Sequence, residues 1–284
     1  MESETCTVIT GASQGLGKAF AEECALRGHN LVLAALPDTG LPEVAGWMAR
    51  VHAVKVLPFE VDLTADDGPA RLARFVQESG LAVDTLVNNA GVGYNGRFGD
   101  SQPQHNETTI RLNMLAVVAL TRALLPELRR RESARVLNVA SLAAFFPMPW
   151  LPVYSSSKSF VVAFSLALRE ELRGTGVSVS VVCPNGIRTN RVVRDLIARQ
   201  GLAGRLTCQY PEQVARAALQ GLEAGRAVIV PGALNRIIKV ASGLVPRSIA
   251  MGVITRRWNT QEKQPRARRA GWSLPWRRSA AAAR

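Results

Sequence analysis

Thr5-Cys6-Thr7-Val8-Ile9-Thr10 runs without interruption into Gly11-Ala12-Ser13-Gln14-Gly15-Leu16-Gly17. The first six residues form a short apolar run of strand length. From Gly15 to Arg27 the pattern changes to helical spacing, with Leu16, Ala19, Phe20 and Cys24 on one face. Gly28 stands where a helix would be capped at its C-terminus. A glycine-rich turn between a strand and a helix has a specific use. Its glycines let the backbone turn tightly and approach a pyrophosphate, and the helix N-terminus behind it favours negative charge.

The same alternation continues downstream. Strand-like runs are expected at Leu31–Ala35, Val54–Phe59, Val83–Val87, Arg135–Ala140, Val177–Cys183 and Ala227–Val230, with helices near 67–79, 105–130, 154–173 and 211–224. Strands that are apolar throughout imply a sheet covered on both faces, and strand–helix alternation implies parallel strands with crossover helices. The expected fold is therefore α/β: a doubly wound parallel sheet of the Rossmann type, in one domain spanning 1–232. Residues 233–255 read as an amphipathic extension, and 256–284 as a basic tail that the pattern no longer organises.

That tail locates the charge. Of a net +13, residues 256–284 hold +8, through nine Lys and Arg against Glu262 alone. The basicity thus belongs mainly to the appendage. Cys6, Cys24, Cys183 and Cys208 have no metal or disulfide spacing, and His29, His52 and His105 are scattered. No metal site is expected. Glu2 and Glu4 stand where a secretory signal would need bases, and the charge-free run 136–157 is interrupted by Pro147, Pro149 and Pro152. The expected setting is cytoplasmic.

The TGxxxGxG loop resembles that of the short-chain dehydrogenase/reductase family, and further matches follow in order. Asn88-Asn89-Ala90-Gly91 resembles the family's NNAG element, and Asp62 with Leu63 falls at its adenine contact. Asn113, Ser141, Tyr154 and Lys158 match its catalytic positions, with Tyr154 and Lys158 in a YxxxK sequence. Pro184, Ile187 and Thr189 match its nicotinamide-side loop. The resemblance covers roughly residues 5–232 and implies a nicotinamide cofactor held by Gly11, Ser13, Gln14, Gly15, Leu16, Gly17, Asp62, Leu63, Asn89, Ala90, Gly91, Tyr154, Lys158, Pro184, Ile187 and Thr189. It also implies a homodimer or homotetramer, and hydride transfer between cofactor and a ketone or secondary alcohol. Within that scheme Tyr154 is acid and base, Ser141 binds the substrate oxygen, and Asn113 supports a water link to Lys158.

Tyr154 and Lys158 stand at i and i+4, about 6 Å apart along one helix face. Bringing a tyrosine from a pKa near 10 to neutrality requires roughly 4 kcal/mol. One cation about 4 Å away supplies roughly that at an effective dielectric near 20, so Lys158 is expected to lower Tyr154. Asn185 replaces the family's usual glycine after Pro184, and its tolerance of positive φ is expected to preserve the turn. Ala35 and Leu36 occupy the end of the second strand, where an acid would select NAD(H). Their neutrality favours NADP(H) over NAD(H), although Asp38 stands close by.

Leu196, Ile197, Leu202 and Leu206, with Phe145, Phe146, Met148, Trp150 and Leu151, point to an apolar pocket for a hydrophobic carbonyl or alcohol substrate. Residues 233–255 resemble the extension of a DltE-like bacterial subgroup. Trp258, Trp272 and Trp276 among basic residues fit peripheral membrane contact, with a solvated tail as the other reading. Nucleic acid is not an expected partner, because no recognition fold accompanies the tail. Two rivals remain open. A sugar epimerase of the extended family would need TGxxGxxG spacing and a larger substrate domain. A catalytically silent cofactor sensor or membrane-associated interaction protein would not need Ser141, Tyr154 and Lys158.

Overall fold

The computed structural model of the chain describes residues 4–188, 206–244, 251–252 and 255. Among the described residues, seven strands form one sheet: β1 Thr5–Thr10, β2 Asn30–Ala35, β3 Val56–Glu60, β4 Ala82–Asn88, β5 Ala134–Val139, β6 Val177–Val182 and β7 Val228–Ile229. Their spatial order is β3-β2-β1-β4-β5-β6-β7, and all six pairings are parallel. This is the doubly wound sheet that the alternation implies.

The helices divide between the two faces. On one lie α1 Gly15–Ala25, α2 Leu41–His52 and α7 Pro211–Glu223, which pack Phe20, Met48 and Leu219 against Ile9, Leu31 and Leu33. On the other lie α3 Gly68–Glu78, α5 Ala116–Leu128 and α6 Pro152–Glu171, where Leu72, Leu124 and Leu168 meet Val8, Val32 and Val136. Adjacent strand residues enter opposite clusters, as Leu31 and Val32 do, because side chains alternate across a strand. Fully burying a residue such as Phe20 or Leu33 contributes roughly 1.5–3 kcal/mol.

Helix α4, Pro103–Ile110, continues through a π-helical turn at Arg111–Leu115 into α5. The stretch Pro103–Leu128 has the length and mean hydropathy, 1.4, of a membrane span. Leu120, Leu124 and Leu128 nevertheless pack into the core, and Glu107, Arg111 and Arg122 interrupt the apolar run. A further helix, α8 Ala233–Leu244, follows β7.

Helix α2 has no counterpart among the helices expected from sequence. Pro42 and Gly46 read as breakers there, yet Pro42 sits in the first turn, where no backbone donor is needed. Leu41, Ala45 and Met48 then face the core. Pro58 lies within β3 in register with Leu33, which an edge strand tolerates.

Candidate active site

The neighbours of β1 are β2 on one side and β4 on the other, so the loops leaving β1 and β4 diverge around a crevice at their carboxyl ends. The Thr10 hydroxyl accepts hydrogen bonds from the amides of Asn89 and Ala90, both at 3.0 Å. The Asn89 side-chain amide donates to the Thr10 carbonyl at 2.8 Å, so Asn89 positions the glycine loop through its backbone. Gly11 has φ +67°, and a Cβ there would lie 3.0 Å from Ala90 Cα. A Cβ on Gly17 would fall 2.0 Å from the Gly11 carbonyl. Gly15 opens α1, while Gln14 precedes it in extended conformation with no side-chain cap and no acid in the first turn. The first-turn amides, flanked by Ser13 and anchored by buried Leu16, therefore remain available to an anion. These residues fit the pyrophosphate of a dinucleotide.

At the adenosine end, Ala35 closes β2 and its carbonyl accepts from the Val61 amide at 2.7 Å. Asp38 is exposed at φ +60° in the next turn. Asp62 Oδ1 accepts from the amide and hydroxyl of Thr64 at 2.8 and 2.7 Å, and Leu63 is buried beside it.

The four catalytic candidates converge at the other end of the crevice. Asn113, fully buried in the π-turn, accepts from the Val92 amide at 2.9 Å and donates to the Val92 carbonyl at 2.8 Å. It also donates to the Ser157 hydroxyl at 3.0 Å, which donates to the Tyr154 carbonyl at 2.8 Å. Ser141 caps a 3-10 turn at Leu142–Phe145 by accepting from the Ala143 amide at 3.1 Å, and its side chain lies close enough to Tyr154 to lower the pKa of the phenol. Lys158 Nζ donates to the Val139 carbonyl at 2.8 Å and lies 5.9 Å from the Tyr154 ring centroid. A Cβ on Gly91 would stand 3.1 Å from that Nζ and 3.2 Å from Asn113 Oδ1, so a side chain there would crowd both groups.

The electrostatics differ from the expectation for Tyr154. Burial raises its pKa, and only the Ser141 side chain opposes that rise. Lys158 is itself pulled down to about 8 by burial, and its ammonium points to Val139 rather than to the phenol oxygen. The protein's own groups therefore keep Tyr154 protonated at neutrality.

The loop after β6 also departs from expectation. Among the described residues, the non-glycine residues with positive φ are Asp38, Ala53 and Trp150, so Asn185 does not supply a left-handed turn. Its side chain instead donates to Asn235 Oδ1 of α8 at 3.2 Å. Asn235, buried, donates in turn to the carbonyls of Thr207 and Pro231, both at 3.0 Å. Pro184 accepts from the Leu142 amide at 2.8 Å, and Ile187 bridges in parallel to Gln209. Thr189, Leu196, Ile197 and Leu202, and the tail's Trp258, Trp272 and Trp276, lie outside the described residues.

Phe145, Phe146, Met148, Trp150 and Leu151 are half-buried, and Phe145 packs against the core around Val161 and Cys183. A cavity of about 10 Å³ beside Tyr154 is lined by other residues, including Tyr94, Phe98 and Val153. Sequence reasoning missed these, and it missed Gly93. A Cβ on Gly93 would lie 2.6 Å from Tyr154 Cδ2, so this glycine makes room for the Tyr154 ring. Its position two residues beyond Gly91 was the available signal.

Residues 5–198 match the short chain dehydrogenase family. Ketoacyl reductase HetN from a Nostoc species is 33% identical over 218 residues, spanning 76% of this chain and 74% of HetN. The bovine (Bos taurus) very-long-chain 3-oxoacyl-CoA reductase is 34% identical over 186 residues, or 64% of this chain, and the match spans only 59% of the relative's length. A bulky-bulky ketone specific alcohol dehydrogenase from Comamonas testosteroni superposes with TM-score 0.69 at 25% identity, covering 95% of this chain and 99% of its own. L-Sorbose reductase from Gluconobacter frateurii, solved with NADPH, gives 0.73 at 26%, covering 81% and 95%. A short-chain dehydrogenase/reductase from Burkholderia phymatum, solved with NAD, gives 0.71 at 27%, covering 80% and 89%. The chain is a member of the short-chain dehydrogenase family, an oxidoreductase acting between alcohol and carbonyl with a nicotinamide cofactor.

Proposed function

We propose that this enzyme reduces the ketone of an apolar-tailed substrate with NADPH, and that 3-oxoacyl thioesters are the substrate class to test first. The observation that carries the reading is the convergence of Ser141 and Tyr154 with buried Lys158 and Asn113 at one end of the crevice. The bound nicotinamide supplies the hydride. Tyr154, held protonated by burial, donates its proton to the carbonyl oxygen. Ser141 accepts from the Ala143 amide and so keeps its own proton to donate toward that oxygen as charge grows on it. Lys158 offsets the phenolate left behind, and Asn113 supports the water link that reloads it.

The acyl class is supported by the names of the two relatives and by Phe98 and Val153, which line the small cavity beside Tyr154. The preference for NADP(H) rests on Ala35 and Leu36 at the end of β2. A homo-oligomer is supported by exposed Ile110, Leu115 and Leu166 on the α4–α5 helix and α6. Membership of the DltE-like subgroup rests on residues 233–255 alone.

The test is initial-rate oxidation of NADPH and of NADH with 3-oxoacyl-CoA esters of rising chain length. Tyr154→Phe is expected to lower turnover about a thousandfold while NADPH affinity stays within a few-fold. A Phe variant with substantial activity would contradict the mechanism. Tight NADPH binding with no turnover across the panel would favour a sensor.

A further inference from the structure

Helix α8 leaves much of its aliphatic surface outside the core. A helix on a globular surface normally places its apolar stripe against the core. Here the inward side carries buried Asn235 with half-buried Ile238, Lys239 and Ser242, so it is only partly apolar. Leu234, Ile237 and Val240, spaced three apart on the outer side, are 39%, 64% and 60% exposed. Leu206, 71% exposed, adjoins the start of the helix, where Asn235 bonds the Thr207 carbonyl. Single exposed aliphatics are ordinary, but an aligned row of them marks a contact surface.

Beside this row runs a groove of about 380 Å³ between α7, β7 and α8, whose lining includes Arg226, Arg236 and Lys239 and no acidic residue. None of the three cations is ion-paired among the described residues. Glu223, the acid nearest in sequence, is turned away to Arg27 at 2.6 Å. Lys239 also lies 5.7 Å from the Phe145 ring centroid, so the groove reaches the turn that begins at Ser141.

We propose that α8 and this groove form a docking surface for an anionic phospholipid bilayer. Lipid phosphates engage Arg226, Arg236 and Lys239, while Leu234, Ile237 and Val240 enter the acyl boundary. A second copy of the chain is a poorer occupant, because two-fold pairing through this face would bring the unpaired cations of both copies together. The sequence beyond α8 reinforces the choice with the net +8 of residues 256–284. The bond from Asn235 to Asn185 links the docked helix to the loop after β6, which places the surface next to the reaction crevice. The docking inference does not depend on which ketone is reduced.

The experiment is sedimentation of the full-length chain with vesicles of phosphatidylglycerol and phosphatidylcholine, compared with phosphatidylcholine alone. Changing all nine Lys and Arg of residues 256–284 to Gln, at full length, isolates α8 from the tail. This tail-neutral chain is expected to stay at least tenfold better bound to the anionic vesicles than to the neutral ones. In that background the pair Ile237→Asp and Val240→Asp, and separately the triple Arg226→Glu, Arg236→Glu and Lys239→Glu, are each expected to lower binding at least tenfold. NADPH affinity should hold in both, reporting an intact fold. If the Asp pair fails to fold, Ile237→Ser with Val240→Ser carries the same expectation. The proposal is overturned if the tail-neutral chain leaves the vesicles, if it binds neutral vesicles equally, or if the α8 variants bind like their parent. It is also overturned if the α8 variants only abolish self-association.

Discussion

Gly93 leaves the Tyr154 ring, the proton donor proposed above, no slack. A Cβ there would meet Tyr154 Cδ2 at 2.6 Å and Cγ at 3.0 Å, so Gly93→Ala must displace the ring. A displacement of about 1 Å at a reacting group costs on the order of a hundredfold in rate. Steady-state kinetics should show that fall in kcat, with the thermal midpoint little changed. At Lys158 the folded pKa is about 8 against the ordinary 10.5, so the fold binds this proton less firmly than the unfolded chain does. Lys158 therefore carries a penalty of roughly 3 kcal/mol below about pH 8, and the penalty fades as pH rises toward 10.5. Lys158→Met removes it but leaves the Val139 carbonyl without a donor, which returns about 1–2 kcal/mol of the gain. Melting curves should show the variant a few degrees more stable at pH 7 and without that advantage above pH 10.5, with turnover lost throughout. An equal or lower midpoint at pH 7 would sink the argument. Because burial raises Tyr154, ketone reduction should hold its rate through neutrality. Alcohol oxidation, which needs the phenolate, should climb as pH rises; pH–rate profiles in both directions check the sign.

The elements differ in how openly the sequence declared them. Strand β1, helix α1 and the turn between them were legible because one local pattern, apolar run then glycines then helical spacing, has few other uses. The order of Asn113, Ser141, Tyr154 and Lys158 was legible by resemblance. The π-turn that buries Asn113 was not, because a shift from i+4 to i+5 pairing leaves no periodic trace over five residues. Helix α2 was hidden by Pro42 and Gly46, whose meaning depends on position within the helix. Asn185 was recognised as a departure but given the wrong task, since a side-chain bond across the fold to Asn235 has no local signature. That bond carries its own expectation. Asn235→Leu would strand the Asn185 amide and the carbonyls of Thr207 and Pro231, so a loss of roughly 2–4 kcal/mol is expected in urea titration. The KM for NADPH should rise as well, because the loop after β6 loses its tether.

Across the whole molecule, Cys6, Cys24 and Cys183 lie buried with their pKa pushed up to about 12 by burial, whereas Cys208 is half-buried. Alkylation should label Cys208 first and the other three only as the sheet opens. NADPH at a hundred times its Kd should stabilise the fold by about 2.7 kcal/mol and slow that second phase in proportion to the population of the open state. The strand order also acts before the enzyme exists. Thr5 pairs with Ala82 and Ile9 with Val87, so the second edge of β1 is completed only when β4 has been made. At cellular synthesis speeds β1 waits on the order of ten seconds, apolar and half-paired, outside the ribosome. The crossover that opens a cleft for chemistry in the finished protein gives the nascent chain its most exposed moment, when a chaperone would have most to hold.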